Sequence, residues 1–259
     1  MKALITLVVG ASLLSGCGFL KHLDPFFDDE ETGTPVRSLD QPVPGEGELP
    51  TPAEAAKIEK PDGMVQFSSV GFYSHGKIWS YWKVGDNNLW TVRPQTVERK
   101  RNFANFFLWQ DMVKAAQLYY YIAPMSAKLV LWDISKEFGG FTGSHISHQM
   151  GLDVDVKLPT INDAKDINMS TVHFEHAWKL ATAFVMTGNV NRIFTDPKYK
   201  KYFCAMKDKL PTIEPLKTET LRALRAWPNH GDHFHVRFRC YPEDKLCVDQ
   251  VETPPGDGC

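Results

Sequence analysis

The 259-residue chain lacks the short signatures that assign a chemistry directly. It has no HExxH, so a metallopeptidase with a glutamate base between two helical ligands is not supported. It has no glycine-rich phosphate loop and no internal repeat, which argues against a nucleotide cradle and against a solenoid. No serine-acyl arrangement is indicated. The apolar run from Ala3 to Leu14 has too few residues to span a bilayer.

What the chain does have is clustered histidine. Five of its 9 histidines fall in two windows, His145 and His148 ahead of Asp155, and His230, His233 and His235 near the C-terminus. In the first window Leu152, Val154, Val156 and Leu158 alternate with polar residues, the period-two pattern of a half-buried strand. Asp153 and Asp155 are then expected on the opposite face, away from the core. Gly151 and its small neighbours predict a turn that lets His148 reach the side of Asp155. In the second window Phe234, Val236, Phe238 and Cys240 alternate with His233, His235, Arg237 and Arg239, so both strand histidines leave on one face. His148, Asp155 and His235 would suit a zinc ion that keeps its fourth position open for water. The blander reading makes these hydrogen-bonded strand and loop histidines, with Asp153 and Asp155 as a solvated edge. Two converging half-sites weigh against it.

The segments Gly-Ser-His-Ile-Ser-His-Gln-Met-Gly-Leu-Asp-Val-Asp-Val (143 to 156) and Gly-Asp-His-Phe-His-Val-Arg-Phe-Arg-Cys (231 to 240) closely resemble the two motifs of the penicillin-insensitive murein endopeptidases. That family belongs with the lysostaphin-like, D-Ala-D-Ala dipeptidase and hedgehog-like metallopeptidases. The resemblance runs from about residue 63 to the C-terminus and includes Asn191-Arg192-Ile193-Phe194 and Tyr202-Phe203-Cys204. It implies His148, Asp155 and His235 as zinc ligands, His230 and His233 beside the metal, and His145 at a position associated with metal binding, at this ion or a second one. It also implies an endopeptidase that cleaves D-alanyl to diaminopimelate cross-links in peptidoglycan, penicillin-insensitive because the chemistry is metal-based. The alternatives are a D,D-carboxypeptidase of the same architecture and a non-catalytic murein-binding lipoprotein.

The chemistry expected of that ligand set is activation of a water and polarisation of the scissile carbonyl by zinc. A base must still take the proton. His233, two residues from His235, is placed to act as base or to stabilise the oxyanion, and His230 to play the complementary role. The sequence does not divide these roles. Asp153 is either an orienter of a ligand histidine or an exposed structural carboxylate. Trp227, with Phe138 and Phe141, is expected to wall the substrate groove or to pack in the core.

The N-terminus speaks to compartment. Lys2 precedes the apolar run, and Leu14-Ser15-Gly16-Cys17 resembles a bacterial lipoprotein box, so residues 1 to 16 are read as a removed signal peptide and Cys17 as lipid-modified. A simple secretory signal is the alternative. Gly18 resembles the pattern of lipoproteins sorted to the outer membrane, which places the domain in the periplasm, touching membrane only through its anchor. Residues 18 to 62 hold 11 acidic and 4 basic residues and seven prolines, too little apolar surface to offset ordering, and are read with Cys17 as a tether. Its coil dimension would be roughly 35 to 40 Å and its contour limit roughly 150 Å. From residue 63 onward 20 acidic and 24 basic residues leave a net charge near +4, which the whole-chain value of −2 conceals. That permits an anionic cell-wall polymer as partner, and no nucleic-acid partner is expected.

Residues 63 to 259 are enough for one core. Val65 to Ser68, Lys77 to Trp82, Trp90 to Arg93 and Ala127 to Ile134 have strand character. Phe103 to Ile122, Phe174 to Thr187 and Pro197 to Met206 have helical character, the second ended by Gly188. The expectation is an α+β fold, a small antiparallel sheet carrying the metal with helices packed on its other face. Beyond Cys17, four cysteines permit three pairings. Cys240 and Cys247 bracket a turn-like stretch and pair easily; the family resemblance implies Cys204 with Cys259, pinning the C-terminal tail. Cysteines as zinc ligands are the weaker alternative, since a better ligand set is present.

Overall fold

A computed structural model describes residues 69–124, 126–143 and 145–259. The expected signal peptide, Cys17, the tether and the strand at Val65 to Ser68 lie outside these residues. A hairpin of β1 (Ser69–Phe72) and β2 (His75–Ile78) and a short pair of β3 (Trp82–Lys83) and β5 (Phe103–Ala104) flank a larger sheet. The stretch Lys77 to Trp82 is therefore not one strand: it contains the end of β2, a bend, and the start of β3. Between them lie β4 (Trp90–Val92) and α1 (Pro94–Glu98).

The principal sheet is six-stranded, in the order β4, β6 (Leu129–Leu131), β7 (Asp153–Lys157), β10 (His233–Phe238), β8 (Val190–Thr195), β9 (Leu224–Ala226). Its centre, β6 to β8, is antiparallel, while β4 pairs with β6 and β8 with β9 in parallel. The fold is α+β as expected, with a sheet that is larger and mixed. Parallel edges need crossover connections, and α2 (Phe106–Ile122) supplies one and α4 (Pro197–Ala205) with α5 (Leu216–Ala223) the other.

The helices start where local chemistry satisfies their free N–H groups. The Asn105 side chain accepts from the Phe107 N–H at the head of α2, and Asp196 from the Lys198 N–H at the head of α4, with Pro197 at its first position. Leu108, Met112, Ala115, Ala116 and Tyr119 form the buried stripe of α2. In α3 (Phe174–Met186) Ala177, Trp178, Leu180, Ala181 and Phe184 are buried, and Phe184 meets Phe238 of β10 at 6.2 Å between ring centroids. Val154, Val156, Phe234 and Val236 face this same core, each fully buried. Burying such a side chain contributes about 2 kcal/mol.

Asp153 and Asp155 exclude the blander reading of this strand. They lie on the other face of β7, yet they are 0% and 3% exposed, not a solvated edge. The long connection from β6 to β7 folds back over that face, so both sides of the strand are covered. Gly151 makes the return possible. Its φ is +69°, and a Cβ there would sit 2.6 Å from Ile78 Cδ1 and 2.8 Å from the Asn105 backbone nitrogen.

Two disulfides close the C-terminal part, Cys204 with Cys259 and Cys240 with Cys247. In the chain-entropy account the first, closing 55 residues, contributes about 4 kcal/mol and the second about 2.

Candidate functional site

Strand register builds the site. His235 sits directly opposite Asp155, and Arg237 opposite Asp153, so four polar side chains share one face of two neighbouring strands. His148 enters from the loop, with a left-handed backbone at φ 65° that is uncommon for a residue with a Cβ. Asp155 Oδ1 is then 3.3 Å from His148 Nε2, 3.4 Å from His235 Nδ1 and 3.7 Å from His233 Nε2. Donor atoms of His145, His148 and Asp155 all lie within 4.8 Å of one another.

Each imidazole is held by its other nitrogen. His148 Nδ1 donates to the Ile134 carbonyl at 2.6 Å, and His235 Nε2 donates to Asp153 Oδ1 at 2.8 Å. Since a carbonyl and an ionised carboxylate only accept, the remaining nitrogens, His148 Nε2 and His235 Nδ1, are the ones free to present lone pairs. His233 Nδ1 donates to Asp232 Oδ1 at 2.7 Å and His230 Nδ1 to the Pro228 carbonyl at 2.8 Å. Asp153, the orienter of His235, also takes the Arg237 Nε–H at 2.6 Å and the His148 backbone N–H at 3.2 Å.

His148 Nε2 and Asp155 Oδ1 face each other without hydrogen-bond geometry, and neither has a hydrogen-bond partner among the described residues although both are buried. A buried polar atom left unsatisfied costs about 1 to 3 kcal/mol. An imidazole nitrogen and a carboxylate oxygen, both orphaned and both pre-oriented, fit a borderline divalent metal.

The charge balance follows the same geometry. Burial opposes charge on His148, yet the adjacent Asp155 carboxylate outweighs it and raises the imidazole to about 9. Burial would also raise Asp155, but His148, His233 and His235 hold it well below the usual carboxylate range. Asp153 is likewise depressed against its burial, chiefly by Arg237 and His235. Burial, and next His148, push His235 down to about 4. His233 is raised, because Asp155 and Asp232 overcome its burial, and burial lowers His230.

The other expected residues flank this cluster. His145 is nearby, its ring centroid 4.8 Å from that of His148, with Nε2 3.2 Å from Asp133 Oδ2. Trp227 is exposed beside Phe194, whose ring is 5.1 Å from that of His235. Phe138 and Phe141 are exposed on the loop leading to His145, so neither is core. Phe138 packs edge-on against Tyr81.

Several residues here carry no sequence signal. Asp133 is buried and gathers Arg99, Arg101, Thr96 and His145; burial works against its charge, but His145 and the arginines hold it at about 2. Trp132 donates its backbone N–H to the Asp155 carbonyl, and its ring lies 5.3 Å from that of His233. The Arg93 guanidinium stacks 4.4 Å over the Trp132 ring. The polar face thus reads across the sheet as Arg93, Trp132, Asp155, His235 and Phe194, with Trp227 beyond.

A buried histidine and aspartate cluster with orphaned donor atoms, set on one face of a mixed sheet, defines a site compatible with a metal ion. The profile of the penicillin-insensitive murein endopeptidase family matches residues 69–182 and 157–259, and the chain belongs to that family. Penicillin-insensitive murein endopeptidases of Escherichia coli O139:H28 (strain E24377A / ETEC) and Shigella boydii serotype 18 (strain CDC 3083-94 / BS512) are each 29% identical to it over 250 residues. The alignments cover 87% of this chain and 78% of each relative. Among the described residues no helix is long and apolar enough to cross a membrane.

Proposed function

We propose that the protein is a zinc-dependent peptidoglycan hydrolase of the periplasm, an endopeptidase that opens D-alanyl to diaminopimelate cross-links. The observation that carries this reading is the facing pair of orphaned atoms, His148 Nε2 and Asp155 Oδ1, in a family whose named members are murein endopeptidases. His148, Asp155 and His235 would hold the ion, with His145 as a further donor. When bound, zinc supplies an activated water and a Lewis acid for the scissile carbonyl.

The residues around it handle the proton and the substrate. His233 takes the proton at Nε2, and Asp232 and Asp155 stabilise the imidazolium that results. It then returns that proton to the leaving amine. His230, kept neutral by burial and already donating through Nδ1, offers an acceptor nitrogen to fix the substrate amide beside His233. Trp227 and Phe194 form an apolar wall on the far side. Lipidation at Cys17 and the tether following it would hold the domain near the outer membrane within reach of the murein.

The test is zinc content together with chelator-sensitive release of monomers from purified cross-linked muropeptides. Stoichiometric zinc and release of monomer are expected. Full zinc occupancy with no cleavage of any cross-link would refute the enzymatic reading, and trimming of free stem peptides alone would make it a carboxypeptidase.

A further inference from the structure

Arg93 stands out in the row that crosses the site. Its neighbours in sequence, Arg99 and Arg101, are both committed to Asp133, at 2.8 Å each. Arg93 is different. Its Nε donates to Gln95 Oε1 at 3.1 Å, its Cζ lies 4.4 Å over the Trp132 ring, and no carboxylate of the described residues reaches ion-pairing distance. The position is built from the sheet. Arg93 N–H donates to the Leu131 carbonyl beyond the paired Val92 and Leu131, which sets its side chain beside that of the next residue, Trp132. Trp132 in turn lies next to His233. Stacking on an aromatic face fixes the guanidinium plane and leaves its edge free for a planar, two-point acceptor.

We propose that Arg93, seated on Trp132, docks a carboxylate of the peptide on the leaving-amine side of the scissile bond. The inference rests on the peptidase reading above and deepens it. In a D-alanyl to diaminopimelate cross-link, the carbon that bears the scissile nitrogen also bears a carboxylate, so such a substrate always presents this anion close to the reacting amide. Arg93 marks one side of the groove and the apolar rings of Phe194 and Trp227 the other, where the guanidinium groups near Phe194 are engaged, Arg237 by Asp153 and Arg192 by Asn191 and the Val251 carbonyl. The amine half of the cross-link lies toward Arg93 and the acyl half toward Trp227.

The probes are muropeptide dimers with this carboxylate free or amidated, titrated calorimetrically onto the chelator-treated full chain. The wild type binds the free acid about 10- to 100-fold more tightly than the amide. Arg93→Gln loses that preference by weakening the acid alone, and Arg93→Lys keeps part of it, as a point charge in place of a fork. Equal weakening of acid and amide in Arg93→Gln, or no preference in the wild type, overturns the assignment. Cleavage is scored separately. If the zinc-loaded wild type cleaves neither dimer, the peptidase reading falls while the binding comparison still decides the role of Arg93.

Discussion

Two pairs of histidines lie at similar spacing in this protein, and their surroundings make them different objects. His173 and His176, at the head of α3, have ring centroids 4.0 Å apart; His148 and His235 have theirs 4.5 Å apart. In the first pair both rings come from a single helical turn. His173 accepts the His176 backbone N–H as a helix cap, His176 Nδ1 meets the Tyr119 hydroxyl at 3.2 Å, and the nearby Glu175 is paired with Lys179. In the second pair the two rings come from distant segments, share a buried carboxylate, and have one nitrogen tied down and the other aimed at it. Proximity of histidines is therefore weak evidence of a site. Anchored outer nitrogens and unsatisfied inner atoms are the stronger evidence.

The comparison breaks most visibly under alanine substitution. Asp155→Ala or His148→Ala should abolish zinc binding and lower muropeptide cleavage by about a thousandfold or more, the scale of losing a group that stabilises the transition state. His173→Ala should leave both zinc content and activity within about twofold, with loss of a cap costing roughly 1 kcal/mol. Comparable activity losses in the two variants would show that the pairs had been wrongly separated. Next in size is His233→Ala, which should keep stoichiometric zinc yet lose about 10²- to 10⁴-fold in turnover. Loss of zinc along with turnover would make His233 a ligand.

The polar alternation of residues 152 to 158 and 233 to 240 was enough to set Asp155 and His235 each on the polar face of its own strand, the pairing of the two strands with His235 opposite Asp155 coming from the sheet, and the periods of α2, α3 and α4 were legible within a few residues. The burial of Asp153 and Asp155 was not. Period two shows that the two faces of a strand differ, not what covers the second face. Here the cover is the connection between β6 and β7, held by single long-range bonds such as His148 Nδ1 to the Ile134 carbonyl. Asp133, Trp132 and Arg93 were missed for the same reason: each lies just past the end of a three-residue strand, too short to show a period, and joins the site only through sheet order. The segment α5 and β9 escaped because a helix of eight residues runs directly into a strand with no glycine or proline between them.

A milder substitution sharpens the role of anchoring. Asp153→Asn removes the negative charge that orients His235 while keeping a similar shape. Zinc affinity should fall about 10- to 100-fold, measured by competition with a chromophoric chelator. The uncompensated Arg237 should also lower Tm. Unchanged affinity would mean that the His235 ring is positioned by packing against Phe194 alone.

The smallest effect is in the pH dependence, where His148 and His176, one from each pair, should carry opposite signs. His148 in the metal-free protein is raised from 6.5 to about 9, so the folded state holds the extra proton. Its contribution to stability is complete below about 6.5 and is lost as pH rises toward 9. His176 is lowered from 6.5, by burial first and by His173 next, so the unfolded chain binds the extra proton and stability is lost as pH falls below 6.5. Tm of chelator-treated protein should therefore decline on the alkaline side in the wild type. Saturating zinc should remove that decline, because the ion takes the lone pair the proton would occupy. His176→Phe should lessen only the acid-side loss, by about 2 °C at most given how exposed the ring is, leaving the part that His235 contributes. An alkaline decline that survives in His148→Gln would assign it to another group and remove the contrast between His148 and His176.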